Sequence, residues 1–304
     1  MANKKLIRFD WAMKYILRNK ANFDILEGFL SNLLKEDIHV LDILESECNK
    51  DAENRKFNRV DLKCKDSKGR FIIIEIQNQR EVDYLQRMLW GTSKAVVETI
   101  NSGDRYEGVA KVISINIIYH KMRENEQENT DFIYYGTTEL YGIHTKRQLV
   151  LHDPSPTFEE LPIVTSKNVF PEYYMIYVEK FQDMINEDID EWIYFFKHAE
   201  IKEDFKSPGI LLVAKKLDYI MMNNKEKLAY ENYLEYLGFE LGVVDNAKFE
   251  GREEGREEGL SDAMILVATR LLKVNEPIEK IQMITDLSVD TIRELARSLG
   301  CSRN

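Results

Sequence analysis

The sequence predicts an α/β fold, a mixed sheet under helical cover, and three observations carry that prediction. Residues 59–64 and 71–77 are short β-type runs joined by Ser67-Lys68-Gly69, a hairpin-length loop with glycine for the left-handed position. Val82 to Ile100 then reads as a long amphipathic helix, and Val109 to Tyr119 as an apolar, β-branched strand. A hairpin pairs antiparallel, whereas a helix between two strands is the crossover that parallel pairing needs. Together they give a mixed sheet with flanking helices.

The elements follow in order. Asp10 to Asn19 has helical spacing (Trp11, Tyr15, Ile16), and Ala21 to Leu34 carries an apolar stripe of Phe23, Leu26, Phe29, Leu30, Leu33 and Leu34. His39 to Glu45 reads as a strand ahead of the hairpin. In the hairpin, Val60, Leu62 and Cys64 alternate with polar residues, and Phe71 to Ile76 is apolar except for Glu75. Asn101-Ser102-Gly103 closes the long helix, the glycine being suited to a C-terminal cap. Residues 130–180 look strand-rich and are punctuated by Pro154, Pro156, Pro162 and Pro171. A mainly helical region begins at Glu191–Ala199, around Trp192 and Phe195-Phe196, and runs to about Glu240.

A compositional break follows, where Gly251, Gly255 and Gly259 frame two copies of Arg-Glu-Glu. Glycines four apart stack along one side of a helix, which suits either a solvated connector or self-association. The tail from Leu260 reads as about three helices. Pro277 opens one, Ser288 caps the next, and Ile292, Leu295, Ala296 and Leu299 share a face before Gly300. Its helix-turn-helix outline lacks a basic recognition face, so packing or partner contact is expected there. The expected organisation is one domain over 1–245, with a core at 1–120 and an elaboration at 121–245, then a helical region at 246–304.

Composition narrows the function. A hydrophobic content of 44% with 31% charged residues fits a globular chain. No apolar stretch is long enough to span a membrane, and no long apolar segment follows the first basic residues, so a cytoplasmic location is expected. Cys48, Cys64 and Cys301 are too scattered for a disulfide framework or zinc site, and Cys64 suits packing within its strand. The five histidines show no close ligand pair. A net charge of −11 argues against general nucleic-acid binding, yet residues 1–80 hold 16 Lys or Arg against 13 Asp or Glu, leaving the remainder at −14. A locally basic edge beside the hairpin could engage phosphates.

The chemistry lies in that hairpin. With a three-residue loop, Asp66 pairs with Arg70, and counting back puts Asp61 opposite Glu75. Such neighbours have Cβ atoms about 4.5–5.5 Å apart on one face, and Gln77 shares that face by the period of two. Facing carboxylates in an apolar hairpin need a positive partner between them. A divalent metal satisfies that need; so would structural salt bridges to Arg59, Lys63 or Arg87. Asp10 and Lys14, four apart on the first helix, suit a surface pair as well as a site role. Tyr106 suits packing, and Gln79 faces solvent.

Asp61, thirteen residues, then Glu75-Ile76-Gln77 resembles the acidic signature of the PD-(D/E)XK nuclease superfamily, with Gln77 where that signature has lysine. With its flanks the chain resembles the Rpn family of recombination-promoting nucleases and transposases. The matching residues are Phe9-Asp10 with Lys14, Arg59-Val60-Asp61, Gly69-Arg70, Arg87-Met88-Leu89, Gly103-Asp104-Arg105-Tyr106, Val112 to Ile115, and the Gly-Arg-Glu-Glu repeat. They cover most of the first 120 residues plus the connector; the middle matches in outline, through Pro171 to Phe181 and the helix at Trp192. The resemblance implies a restriction-endonuclease-like core that hydrolyses DNA with Mg²⁺. Asp61, Glu75 and the Ile76 carbonyl would hold the ion, and Gln77 would orient water or phosphate. Lys14 and Arg87 would supply positive charge toward DNA, and Asp10 a third carboxylate. The expected enzyme is an endonuclease of low sequence selectivity, since no base-reading element is evident, with a homodimer through the connector helix. The rival expectation is a catalytically silent nuclease fold that binds DNA or a protein.

Overall fold

A computed structural model describes residues 6–15, 17–44, 61–78, 81, 83–101, 103–120, 130–152, 163–165, 169–219 and 222–300. Two units divide the chain, Met1–Lys227 and Leu228–Asn304.

In the first unit, α1 (Phe9–Tyr15) and α2 (Phe23–Leu34) precede β1 (Val40–Leu44), β2 (Leu62–Asp66) and β3 (Phe71–Gln77). Then come α3 (Tyr84–Val97), β4 (Val112–Ile118), β5 (Ile133–Thr137), β6 (Val150–His152), β7 (Ile163–Thr165), β8 (Glu172–Tyr177), α4 (Asp188–His198) and α5 (Ile210–Lys216). Six strands form one sheet in the order β1-β2-β3-β4-β8-β5, and β6 pairs separately with β7. The β1–β2, β2–β3 and β5–β8 pairs are antiparallel, while β3–β4 and β4–β8 are parallel. The predicted mixed sheet is therefore present, and α3 is its β3-to-β4 crossover.

Parallel strands read as near-continuous apolar runs because helices cover both faces. All seven residues of β4 are buried, as are Ile72 through Gln77. On one face Ile73 and Val112 pack with Ala95 of α3, and Ile118 and Tyr177 pack with Tyr84. On the other lie Leu62, Cys64, Ile72, Ile74, Ile113, Ile115 and Ile117. The second helical layer joins α1, α2 and α4 through an aromatic cluster: Phe9 stacks on Phe196 at 4.2 Å, and Phe29 meets Trp192 at 5.8 Å. α2 approaches α5 so closely that a Cβ on Gly28 would sit 2.7 Å from the Gly209 Cα.

α6 (Asn224–Lys273) is one 50-residue helix that starts in the last residues of the first unit; the second unit holds the rest of it, then α7 (Ile278–Thr285) and α8 (Val289–Ser298). The glycine repeat lies inside α6 without breaking it, and nothing lies within 4 Å of a Cβ built on Gly251, Gly255 or Gly259. Ala268, Leu272, Ile281 and Ile292 form the small core of this unit, with Leu295, Ala296 and Leu299 packed against it.

Some expectations shift. α1 stops at Tyr15, short of Asn19. Gly103 does take a left-handed φ of 95°, but the cap of α3 is the right-handed Glu98, so the glycine serves a later turn. Pro277 is the cap itself rather than the first helical residue. Tyr106 is 88% exposed, which removes it from the core where packing was expected. Gln79 and Arg59 lie outside the described residues.

Candidate active site

The hairpin loop fixes the register on which the site depends. The Asp66 amide donates to the Arg70 carbonyl at 3.0 Å, and Gly69, with φ 79°, donates to the Asp66 carbonyl. The Asp66 carboxylate accepts from the Lys68 and Arg70 amides at 3.0 and 2.8 Å and pairs with the Arg70 guanidinium at 2.7 Å. Glu36, just past α2, pairs with both Arg70 and Lys68. So fastened, the ladder runs from Lys65 opposite Phe71 to Leu62 opposite Ile74, and Asp61 follows directly beyond its last pair, near Glu75.

Backbone polarity of β3 explains what Asp61 does there. The Phe71 amide bonds to Lys111 next to β4, and the Gln77 carbonyl accepts from Tyr119 just past it. Because strand residues alternate the edge to which their backbone groups point, Ile76 turns its amide and carbonyl toward β2. β2 begins only at Leu62, so the Ile76 amide meets the Asp61 carboxylate instead, donating to Oδ2 at 2.7 Å. The Ile76 carbonyl lies on that same edge. From the other side Arg18 donates to the Asp61 carbonyl at 2.8 Å, bringing the segment after α1 to this end of the sheet.

Glu75 is 4% exposed on the face under α3. Burial pushes its carboxyl above the usual range; Arg87 opposes that shift and the Asp61 charge adds to it. Arg87, on α3, sets Nη2 2.6 Å from Glu75 Oε1 and also pairs with Glu81. The Arg87 contact is thus one of the structural pairings open at the sequence level, while Lys63 pairs with Glu98 instead, at 2.8 Å. Gln77, two residues on and 6% exposed, shares the Glu75 face.

Two residues absent from the sequence reasoning join this face. Asn116 is the β4 partner of Glu75 and is 1% exposed. It accepts from the Tyr84 hydroxyl at 3.0 Å and donates to Ser114 Oγ and the Tyr174 carbonyl at 3.1 and 3.2 Å. Burial, then the nearby Glu75 charge, drives the Tyr84 hydroxyl far above its usual pKa. The signal was available: Asn116 is the one amide in the apolar run Val112–Ile118, at the level of Glu75.

Asp10 is fully buried at the start of α1, where its carboxylate accepts from Arg8 at 2.8 Å and from the Trp11 amide at 2.8 Å. Arg8 in turn lies over the Tyr119 ring at 5.2 Å, just past β4. Lys14 follows one turn later in α1, and its side chain lies outside the described residues. Among the described residues, no three acidic, His or Cys side chains stand close enough to share a metal ion.

The donor set nevertheless suits a small dication. The Glu75 carboxylate lies on one face of β3, the Asp61 carboxylate stands at the neighbouring β2 edge within range of its charge, and the Ile76 carbonyl faces that edge. Mg²⁺ takes one or two protein carboxylates and completes its shell with water and substrate phosphate.

A family model described as PD-(D/E)XK nuclease family transposase matches residues 7–240. No curated protein and no solved structure matches the chain.

Proposed function

The chain belongs to the PD-(D/E)XK nuclease family transposases, and from that premise we propose that it is a Mg²⁺-dependent DNA endonuclease. It hydrolyses phosphodiester bonds with low sequence selectivity, in the service of recombination or transposition. The observation that carries this reading is the Asp61 carboxylate bound to the Ile76 amide, within range of the Glu75 charge, toward the C-terminal end of the parallel strand β3, where α/β sheets bind ligands.

In this reading Asp61, Glu75 and the Ile76 carbonyl hold the ion. A bound divalent cation supplies Lewis-acid polarisation of the scissile phosphate and acidifies the attacking water. Gln77 orients that water or a phosphate oxygen through its amide, which hydrogen-bonds but adds no charge. Positive charge toward the DNA comes from Lys14 and Arg87, whereas the buried Asp10 carboxylate, held by Arg8 and the Trp11 amide, orders the start of α1. Two chains associate through the α6 connector, so that both strands of a duplex can be cut in one encounter. The protein works in the cytoplasm; no described helix is long and apolar enough to cross a membrane.

Gln77 at the lysine position favours a second reading, a nuclease fold that binds DNA without cutting it. Supercoiled plasmid and a single-stranded RNA, each incubated with Mg²⁺ and with EDTA, separate the two. Nicking of plasmid that needs Mg²⁺ supports the endonuclease. Retention of plasmid without nicking supports the binding module, and RNA-only cleavage redirects the substrate. A chain ending at Val244 tests the connector: dimers in the full chain and monomers in the shortened one are expected by light scattering.

A further inference from the structure

Arg87 occupies the carboxylate on which metal binding depends. Glu75 Oε1 is closed off from solvent and faces the guanidinium at 2.6 Å, on a side chain that is itself 6% exposed. Arg87 and Glu81 are each 31% exposed and pair with one another, so the guanidinium bridges an inner and an outer acid. A buried carboxylate next to Asp61 is costly without a cation, and Arg87 supplies one. A dication on the same carboxylate removes that need and repels the guanidinium, while Glu81, already its partner, retains Arg87.

We propose that Arg87 is an exchangeable latch on the Glu75 carboxylate, neutralising it before a divalent ion arrives and giving it up, while keeping its hold on Glu81, when one binds. This rests on reading Asp61 and Glu75 as ion ligands. The latch keeps the hairpin stable with no ion bound and lowers metal affinity. It also leaves a guanidinium tethered beside the loaded site. Arg87 is a positioning residue in this scheme, since it acts through Glu75.

The test is Mn²⁺ binding to the full chain without DNA, followed by calorimetry and by electron paramagnetic resonance of free Mn²⁺. Removing a cation a few ångströms from a ligand carboxylate is expected to tighten Mn²⁺ binding by about tenfold or more in Arg87→Ala. Glu81→Gln takes away that retaining partner, so it weakens Mn²⁺ binding in the wild-type background and has no effect in Arg87→Ala. That loss of coupling separates exchange from a general field effect, which would persist in both backgrounds. If Arg87→Ala misfolds by circular dichroism, Arg87→Gln takes its place in the cycle. Unchanged or weaker Mn²⁺ binding in a folded Arg87 variant overturns the latch, as does a Glu81→Gln effect of equal size in both backgrounds. If Glu75→Gln binds Mn²⁺ as the wild type does, the ligand assignment itself fails, whatever the Arg87 variants do.

Discussion

The Ile76 amide donates to Asp61 Oδ2 at 2.7 Å, fastening a carboxylate from one hairpin segment to the strand that carries Glu75. In a regular ladder that amide would bond to backbone; here the side chain takes the place of a strand residue. The candidate ligand is thereby fixed in position by the fold itself.

Removing that acceptor leaves a backbone amide unsatisfied. Asp61→Ala is expected to lose about 1–3 kcal/mol of stability, because an orphaned donor costs its full desolvation. Asp61→Asn keeps an acceptor oxygen and should lose clearly less. Urea midpoints at unchanged m-value measure both, and equal losses would mean the amide does not depend on this contact.

The loop network sets a pH dependence. Burial raises the Glu36 carboxyl, but its contacts with Lys68 and Arg70 outweigh burial and hold it below the usual range. A carboxyl lowered in the folded state contributes stability above its unfolded pKa of about 4.3, and that contribution is lost as pH falls through the lower folded value. Glu36→Gln should therefore cost up to about 1 kcal/mol at pH 7, as expected for a partly exposed pair. The deficit should fade in acid. Denaturation curves at pH 7 and pH 3 make the comparison, and a constant deficit would contradict the linkage.

Two glycines should respond with opposite sign. Gly28→Ala drives a methyl to 2.7 Å from the Gly209 Cα, a backbone atom that cannot step aside. Separating α2 from α5 is expected to cost about 1–3 kcal/mol or more. Gly251→Ala adds its methyl to open space in the middle of α6, and should stabilise the helix by about 0.5–1 kcal/mol. Thermal unfolding of the two variants reads the sign directly.

Asn116 connects β4 to the face of Glu75. Asn116→Ala strips the Tyr84 hydroxyl of its acceptor, a loss of about 1–3 kcal/mol for a buried polar group. Tyr84→Phe removes the donor and should be milder, because Asn116 keeps its contacts to Ser114 and Tyr174. The double variant should cost less than the sum, which a thermodynamic cycle measures.

The hairpin and its register were legible in the sequence because side chains alternate with period two and Gly69 fixes the loop length. Counting back from the loop gave the pairs from Lys65–Phe71 to Leu62–Ile74 that the ladder shows. The buried strand Val112–Ile118 and the α3 crossover were legible from apolar pattern. What escaped was long-range pairing, since nothing local to Glu36 announces Arg70; the short-range claim of Arg8 on the Asp10 carboxylate was passed over for the helical i, i+4 spacing to Lys14. The unbroken α6 also escaped, since each exposed glycine costs a helix only about 1 kcal/mol and flanking turns absorb it. Gly103 misled because a left-handed glycine serves a turn as well as it serves a cap.

The account rests on Asp61 and Glu75 sharing one ion, and single-turnover nicking of supercoiled plasmid in Mg²⁺ tests that most directly. Asp61→Asn and Glu75→Gln, both folded by circular dichroism, should each slow nicking by about a thousandfold or more, and their combination should be little worse than either alone. Nicking by folded Glu75→Gln at the wild-type rate, or nicking that persists in EDTA, would contradict it.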